Sequence, residues 1–356
     1  MHIQTLALQN FKNHLDSSFV FSPHINFISG LNGTGKTSIL DAIYCLGFTK
    51  SYFQLLDKEN IMYGKEYTAV HAECANSEIQ SVRYAYHIHT GKKLWVNQEL
   101  VKTMSSHIGK INMLFFAPYD VYSLVESNEE KKRSFDMVLC QLYPEYLHAL
   151  GQYQKTLKQR NALLKQLQEN EVNYSSDLLA VYDSLLEQHG NIITTYRKQF
   201  FDSFLAYFQE VYAQICDGKE SPSLSYEPYY KENFAFYLSK HHHRDIAAGR
   251  TLSGVHKDEI SYKINGLLVK KFASQGQQKT YILSIKLAQY LYIAEQKHTH
   301  PILLLDDICD KLDPQRLTQL FTFLNTHIKG QIFITDTQKD RFTQLQTNNH
   351  HQSIEL

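Results

Sequence analysis

Residues 29–44 read SGLNGTGKTSILDAIY. No other stretch restricts the fold as much, because it fits G-x-x-x-x-G-K-[ST] with Gly30, Gly35, Lys36 and Thr37 at the fixed positions. Its flanks agree. INFIS (25–29) is a short apolar strand, and TSILDAIYCLGF (37–48) carries Ile39, Ala42, Ile43 and Leu46 at helical spacing. Strand, glycine turn and helix in that order let backbone N–H groups from Gly33 to Thr37 curl around phosphate oxygens. The helix N-terminus adds its positive dipole end. The nucleotide-binding set read from this stretch is Gly30, Leu31, Asn32, Gly33, Thr34, Gly35, Lys36, Thr37 and Ser38. Lys36 reaches the β- and γ-phosphates, and Thr37 holds Mg²⁺.

Such a loop serves kinases, GTPases, transporters and motors alike. The far end of the chain narrows the choice. PILLLDDICDKLDP (301–314) has four apolar residues, Ile302 to Leu305, followed by two acids. A continuous apolar run suits a buried parallel strand, and ligands sit at the C-terminal ends of such strands. Asp306 is therefore assigned to Mg²⁺, and Asp307 to orienting or activating the attacking water. Upstream, FASQGQQKTYILSIKLAQYLYIAEQ (272–296) places Ser274, Gln275 and Gly276 before a long amphipathic helix. Exposed amides there make a second anion site. The expected geometry clamps each ATP between the Gly30–Thr37 loop of one copy and Ser274–Gly276 of another.

The bounds fit a globular ATPase. The chain has 356 residues, 43% of them hydrophobic and 20% charged, enough for roughly two domains. Lys+Arg and Asp+Glu are each 36, so any nucleic-acid-binding surface must be local. Five scattered cysteines without a CxxC point to reduced thiols rather than disulfides or zinc. The opening MHIQTLALQNFKNH does not read as a signal peptide, and no window is long and apolar enough to span a membrane, so a soluble cytoplasmic protein is expected.

Taken together, these motifs resemble the RecF family, the DNA-repair branch of the SMC-like ATP-binding-cassette ATPases, over nearly the whole chain. LQNFKNH (8–14) is similar to the family's opening strand and F-R-N step, with Lys12 where arginine is usual; the resemblance places Lys12 among the nucleotide-binding residues. FFAPYDVYSL (115–124) resembles the F-S-P-E-D segment, with Tyr119 in place of glutamate. KRSFD (132–136) resembles R-R-x-F-L-D. LSGVHKDEI (252–260) resembles G-P-H-R-D-D, with Val255, Lys257 and Glu259 as departures. SQGQQK and LLLDDICDKLD match closely, and QIFITDT (331–337) offers Thr335 and Asp336 where transporter cassettes carry a histidine. The Arg-to-Lys exchanges matter wherever a bidentate fork is needed, since lysine cannot supply one.

The middle of the chain carries a helical pattern. Apolar-leaning positions run Leu139, Leu142, Tyr146, Leu150, Tyr153, Leu157, Arg160, Leu164 and Leu167, and from Tyr146 onward the steps alternate between three and four, a heptad seam with one charged intruder. ENEVNYSSD (169–177) breaks it, and a second run continues from Leu178 to Ile215. An antiparallel hairpin with arms of about 30 residues, roughly 45 Å each, is expected. HHHR (241–244) and NNHH (348–351) read as loops or tails rather than metal sites. EEKKR (129–133) reads as a solvated helix start, and TGKK within 89–95 as a β-hairpin.

The expected fold is α/β: a P-loop ATP-binding-cassette ATPase head with an inserted mainly helical lobe. Residues 1–120 and 250–356 form the two halves of the head and 121–249 the lobe, and YTAVHAEC, SVRYAYHI and INMLFF add an antiparallel layer. The resemblance implies an ATP- and Mg²⁺-dependent homodimer that binds double-stranded and gapped DNA and acts with RecR and RecO in loading recombinase, with weak DNA-stimulated ATP hydrolysis as the switch. The alternatives from other classes are the ATPase subunit of a membrane transporter and an SMC-like defence-system ATPase.

Overall fold

The computed structural model describes residues 1–170, 176–216, 218, 220–229, 233–310, 312–337 and 351–356. Residues 171–175 of the expected helix break, Lys311 and residues 348–350 of NNHH lie outside these, while His351, the last residue of that stretch, opens a strand rather than a loop or tail. The chain divides into two compact units: residues 1–122, 207–221 and 273–356, and residues 123–206 and 222–272.

The first unit contains two sheets. One is antiparallel and six-stranded, in the order β2-β1-β4-β5-β6-β7. Its strands are β1 (His2–Phe11), β2 (His14–Val20), β4 (Tyr67–Ala75), β5 (Ser81–His87), β6 (Gly91–Val96) and β7 (Glu99–Leu100). These strands alternate as a half-covered sheet should: Leu6, Leu8, Val82 and Tyr84 are buried, while Ala7, Gln9 and Arg83 point out. The expected hairpin at TGKK forms, with His87 opposite Gly91.

The other sheet is parallel throughout, in the order β14-β3-β13-β12-β8. It is built from β3 (Ile25–Ser29), β8 (Met113–Phe116), β12 (Ile302–Leu305), β13 (Ile332–Asp336) and β14 (His351–Glu355). Here one expectation needs correction. INMLFF does not join the antiparallel layer: Met113–Phe116 run parallel to Ile302–Leu305. All four residues of β8 are apolar and buried. A strand covered on both faces needs such a continuous run, whereas a half-open antiparallel strand needs alternation.

Helix α1 (Lys36–Phe48) touches strands of both sheets, β1, β4 and β5 on one side and β8 and β13 on the other. That enclosure explains why every residue from Ile39 to Phe48 is buried. Helix α2 (Pro118–Glu126) follows β8. Helix α9 (Gln275–Lys297) was expected to be amphipathic but is buried from Lys279 to Tyr290 without a break. Some of its buried polar positions have partners: Thr280 donates to Gly276 O at 2.9 Å, and Lys286 pairs with Asp120 at 3.7 Å. Helix α10 (Pro314–His327) starts with the Asp313 side chain accepting from Arg316 N at 2.9 Å.

The second unit is mainly helical. It holds α3 (Asn128–Leu142), α4 (Pro144–Asn170), the larger part of α5 (Ser176–Cys216), and the short helices α6 (Phe234–Lys240), α7 (His242–Ala248) and α8 (Val269–Phe272). A three-stranded sheet, β9 (Pro222–Glu227), β10 (Glu259–Ile264) and β11 (Leu267–Leu268), completes it. Pairs Glu145–Tyr196, His148–His189 and Arg160–Asp183 show α4 and α5 running antiparallel. Pro144 opens a new helix after Tyr143, so the seam from Tyr146 to Leu167 lies within α4, and Leu139 and Leu142 belong to α3. The second arm is longer than expected: 41 residues against 27 for the first.

The boundary expected at 249/250 also moves. Residues 222–272 group with the helices because β9 pairs with β10 from Pro222↔Ile264 to Glu227↔Glu259. The last turns of α5 group with the first unit because Phe208 and Tyr212 pack against Tyr281 of α9 at 4.9 and 5.8 Å.

Two ionic networks organise this unit. Arg160, the charged intruder in the seam, is fully buried and bonds Asp183 at 2.8 Å and Asp245 at 2.7 Å. His242 meets the same Asp183 at 2.6 Å. HHHR is therefore a junction between two helices, not a loop. Arg197 forks onto Asp136 at 2.9 Å and reaches Asp258 at 2.8 Å, while Tyr146 and Tyr226 donate to those carboxylates at 2.5 Å each. EEKKR is not a solvated start either. Lys131 donates to Ile260 O at 3.0 Å over the Tyr262 ring, and Lys132 is buried against His256 O.

Candidate nucleotide site

The site forms at the C-terminal edge of the parallel sheet. Sheet order puts β13 between the strand that leads into the glycine turn, β3, and the strand that ends in the two acids, β12. Thr335 and Asp336 of β13 lie in register with Ile28 and Ser29. Two motifs separated by 269 positions thereby meet: the Thr37 hydroxyl donates to the Asp306 carboxylate, 2.9 and 3.0 Å from its two oxygens.

The glycine turn is held open by its own backbone. Gly35 has φ 106° and caps α1 without any side-chain bond, leaving the first helical amides unclaimed by a cap. A Cβ at Gly35 would lie 2.4 Å from His14 Nε2 and 2.6 Å from Asn13 Nδ2, so both conformation and space demand glycine. Lys36 Nζ donates to Gly30 O at 2.7 Å and Leu31 O at 2.8 Å, so its ammonium is parked on the rim of the loop. Thr34 also bonds Leu31 O at 3.0 Å, and Leu31 itself is 78% exposed.

Residues that sequence patterns did not single out brace this turn. Asn13 accepts from Ser38 Oγ at 2.9 Å and donates to Gly33 O at 3.3 Å. His14 Nε2 lies 3.2 Å from Gly35 O, and burial lowers its pKa. Both follow directly on Lys12, where the chain passes from β1 to β2; Asn10 near the end of β1 and Lys12 in the turn adopt left-handed φ of 49° and 51°. Lys12 itself does not meet the glycine turn. Its ammonium contacts Asp41 of α1 at 2.5 Å, and Asp41 also accepts from Ser51 Oγ at 2.6 Å and Tyr52 N at 2.7 Å. The buried carboxylate attracts the nearest flexible cation.

The acidic end is equally constrained. Asp306 accepts from Thr335 Oγ1 at 2.7 Å, and burial raises its carboxyl pKa against the pull of these hydroxyl donors. Asp307 has a left-handed φ of 46°, and its N–H donates to Thr335 Oγ1 at 3.0 Å. Burial first, and the neighbouring Asp336 second, raise the Asp307 pKa, while Lys279 opposes them. One threonine therefore contacts both acids, and its place beside them follows from strand order rather than from any local pattern.

Ser274, Gln275 and Gly276 open α9 as expected. Ser274 accepts from Gln277 N at 3.3 Å, and Gln277 Oε1 accepts from Ser274 N at 2.9 Å, a reciprocal capping box. Gln277 is held by Glu220 at 3.1 Å, which Arg316 grips at 3.2 Å. Among the described residues, no hydrogen bond joins Ser274–Gly276 to Gly30–Ser38. The glycine turn and the Ser274 cap of one copy are separate features.

Comparison with known proteins agrees with this arrangement. A family model described as the RecF/RecN/SMC N terminal domain matches residues 2–353. The DNA replication and repair protein RecF of Flavobacterium johnsoniae is 37% identical over 359 residues, spanning 100% of this chain and 99% of that protein. The protein of the same description from Azobacteroides pseudotrichonymphae is 35% identical over 353 residues, with 99% and 96% covered. Among solved structures, that of the recombination mediator protein RecF-ATPrS in the RecFOR pathway has a TM-score of 0.86 at 26% identity, covering 96% of this chain and 93% of that one. An Smc head bound to the C-winged helix domain of ScpA shares the fold, with a TM-score of 0.54 at 17% identity. Helices of no described segment are long and apolar enough to cross a membrane. Similarity at this level, running the length of both partners, means that the chain belongs to the RecF family of DNA replication and repair proteins.

Proposed function

We propose that the chain is a cytoplasmic, ATP-switched recombination mediator. ATP binds at Gly30–Ser38 and closes a homodimer around double-stranded or gapped DNA, and hydrolysis reopens it. Its role is to help load recombinase together with RecO and RecR. The observation that carries this reading is the Thr37–Asp306 hydrogen bond, which brings the glycine turn and the acidic strand end together. Relatives described as DNA replication and repair proteins, and solved RecF structures with ATP or ATPrS, support the nucleotide and the pathway. The transporter and defence-system readings fall away because the full-length similarity is to RecF proteins.

The residues fit their roles chemically. Amides of Gly33–Thr37 and the Lys36 ammonium bind the phosphates, Lys36 exchanging the carbonyls of Gly30 and Leu31 for phosphate oxygens. Lys12 stays paired with Asp41 of α1. The Thr37 hydroxyl and the Asp306 carboxylate are hard oxygen donors that suit Mg²⁺. Bound there, Mg²⁺ would supply charge neutralisation on the phosphates. Asp307 orients the attacking water and accepts its proton. Ser274, Gln275 and Gly276 of a second copy offer helix-terminal amides to the γ-phosphate.

The decisive test measures ATP hydrolysis with and without duplex DNA, alongside binding to duplex, single-stranded and gapped DNA at several salt concentrations, with and without ATP. Binding and turnover should both depend on the DNA–ATP combination. DNA affinity indifferent to nucleotide would refute the switch.

A further inference from the structure

Lys279 lies five positions past the Ser274 cap, a rise of about 7.5 Å along the helix. Its side chain is 4% exposed. The ammonium donates to the main-chain carbonyl of Asp307 at 3.2 Å and to that of Asp310, with the face of Phe116 6.0 Å away. A buried ammonium is costly unless polar groups surround it, so these carbonyls are firm partners.

On its other side, Asp307 is held by β13: its N–H donates to Thr335 Oγ1 at 3.0 Å. The peptide groups before and after Asp307 are thus fixed by different elements, while the residue itself sits at φ 46°. A left-handed non-glycine residue persists where its surroundings over-determine it. Releasing one side lets the backbone relax, and the carboxylate moves with it.

We propose that Lys279 is a positioning residue that ties the N-terminus of α9 to the Asp307 turn, so that a phosphate gripped at Ser274–Gly276 biases the Asp307 geometry of the same protomer. The inference rests on the ATPase reading given above and deepens it. Each copy would sense its partner's nucleotide at the helix end and adjust its own acid through one rigid helical segment. Such coupling is reciprocal: the state of the Asp307 turn also alters how well the helix end grips phosphate.

The test uses the full chain with Lys279→Met and Lys279→Arg, and with Lys279→Gln should the methionine variant not fold. Amide hydrogen exchange of a peptide spanning 306–310 reads the turn directly. Loss of the ammonium should accelerate exchange there about tenfold, and Lys279→Arg should restore protection. Single-turnover ATP hydrolysis of Lys279→Met with DNA should fall about tenfold or more, while equilibrium ATP affinity stays within about twofold and ATP still forms the dimer. Unchanged exchange at 306–310, or wild-type hydrolysis in the Met variant, overturns the proposal while leaving the ATPase reading intact. A wild-type protein that neither binds nor hydrolyses ATP removes both, which is a separate and recognisable result.

Discussion

Thr335 donates to Asp306 at 2.7 Å and accepts the Asp307 N–H at 3.0 Å, so a single hydroxyl orients the side chain of one acid and the backbone of the next. The acids stand at the end of β12 and the threonine near the end of β13, and β3 on the far side of β13 delivers the glycine turn. The glycine turn, the two acids and the threonine that holds them thus come from three neighbouring parallel strands, so under the proposed roles alterations at each should separate binding from turnover.

Lys36→Ala should weaken ATP binding and leave the fold intact. The ammonium contacts only loop carbonyls among the described residues, at 2.7 and 2.8 Å, so its structural duty is small. Charge-assisted bonds to phosphate are worth about 1.5–3 kcal/mol, which predicts a loss of affinity of about tenfold or more. Calorimetric titration with ATP measures it, and undiminished affinity would sink the phosphate assignment.

Asp307→Asn should bind ATP normally and hydrolyse it about a hundredfold more slowly, the usual scale of a lost general base. The amide keeps the shape of the side chain and the backbone bond to Thr335. Single-turnover hydrolysis is the measurement; a wild-type rate moves the water-activating role to another group.

Ser274→Arg should abolish ATP-dependent dimerisation and DNA binding while ATP binding by the monomer survives. Ser274 is the exposed cap of α9 and has no hydrogen bond to the glycine turn of its own copy. A bulky cation there fills the place proposed for the partner's γ-phosphate. Light scattering with ATP, ADP and no nucleotide, paired with DNA binding, checks this. A wild type that stays monomeric with ATP yet binds duplex DNA normally rules out the clamp.

Arg197→Ala should be among the most destabilising single changes in the second unit. It strands two buried carboxylates, Asp136 and Asp258, that the guanidinium now pairs at 2.8–2.9 Å. Breaking a buried pair from one side costs about 3–5 kcal/mol. Thermal unfolding should show a clear drop in Tm, and a shift of less than a degree or two, roughly the effect of a neutral surface change, would mean that the network is dispensable.

His256 should make stability pH-dependent. Burial lowers its pKa to about 4. Tyr153 OH lies 3.0 Å from Nδ1 and Thr251 O 3.3 Å from Nε2, which suits a neutral ring protonated on Nε2. Because the folded value lies below the unfolded one, the unfolded chain binds the extra proton. The contribution is therefore complete above the unfolded value and is lost as pH falls through the window toward 4. Tm measured from pH 7 to 4.5 should fall less steeply in His256→Asn than in the wild type. Parallel curves would show that other groups set the acid limit.

Local chemistry made much of the head legible in the sequence. The turn from Gly30 to Gly35, the apolar strand before it, the helix after it and the ILLL strand before Asp306 form where local pattern places them, because hydrophobic period and turn chemistry are properties of neighbouring residues. SQGQQ likewise encoded its own capping box. Tertiary structure decided everything that depends on residues distant in the chain. Period alone could not separate a parallel from an antiparallel role for MLFF, since strand pairing is set by which runs become buried together. Arg160 looked like an intruder until Asp183 and Asp245 were found around it, and Lys131 and Lys132 looked solvated until β10 and His256 O claimed them. The same holds for Lys12 on Asp41, Thr335 on the two acids and Lys279 on the Asp307 carbonyl. A buried charge or hydroxyl takes whichever partner folding brings within about 3 Å, and no local pattern records who that partner is.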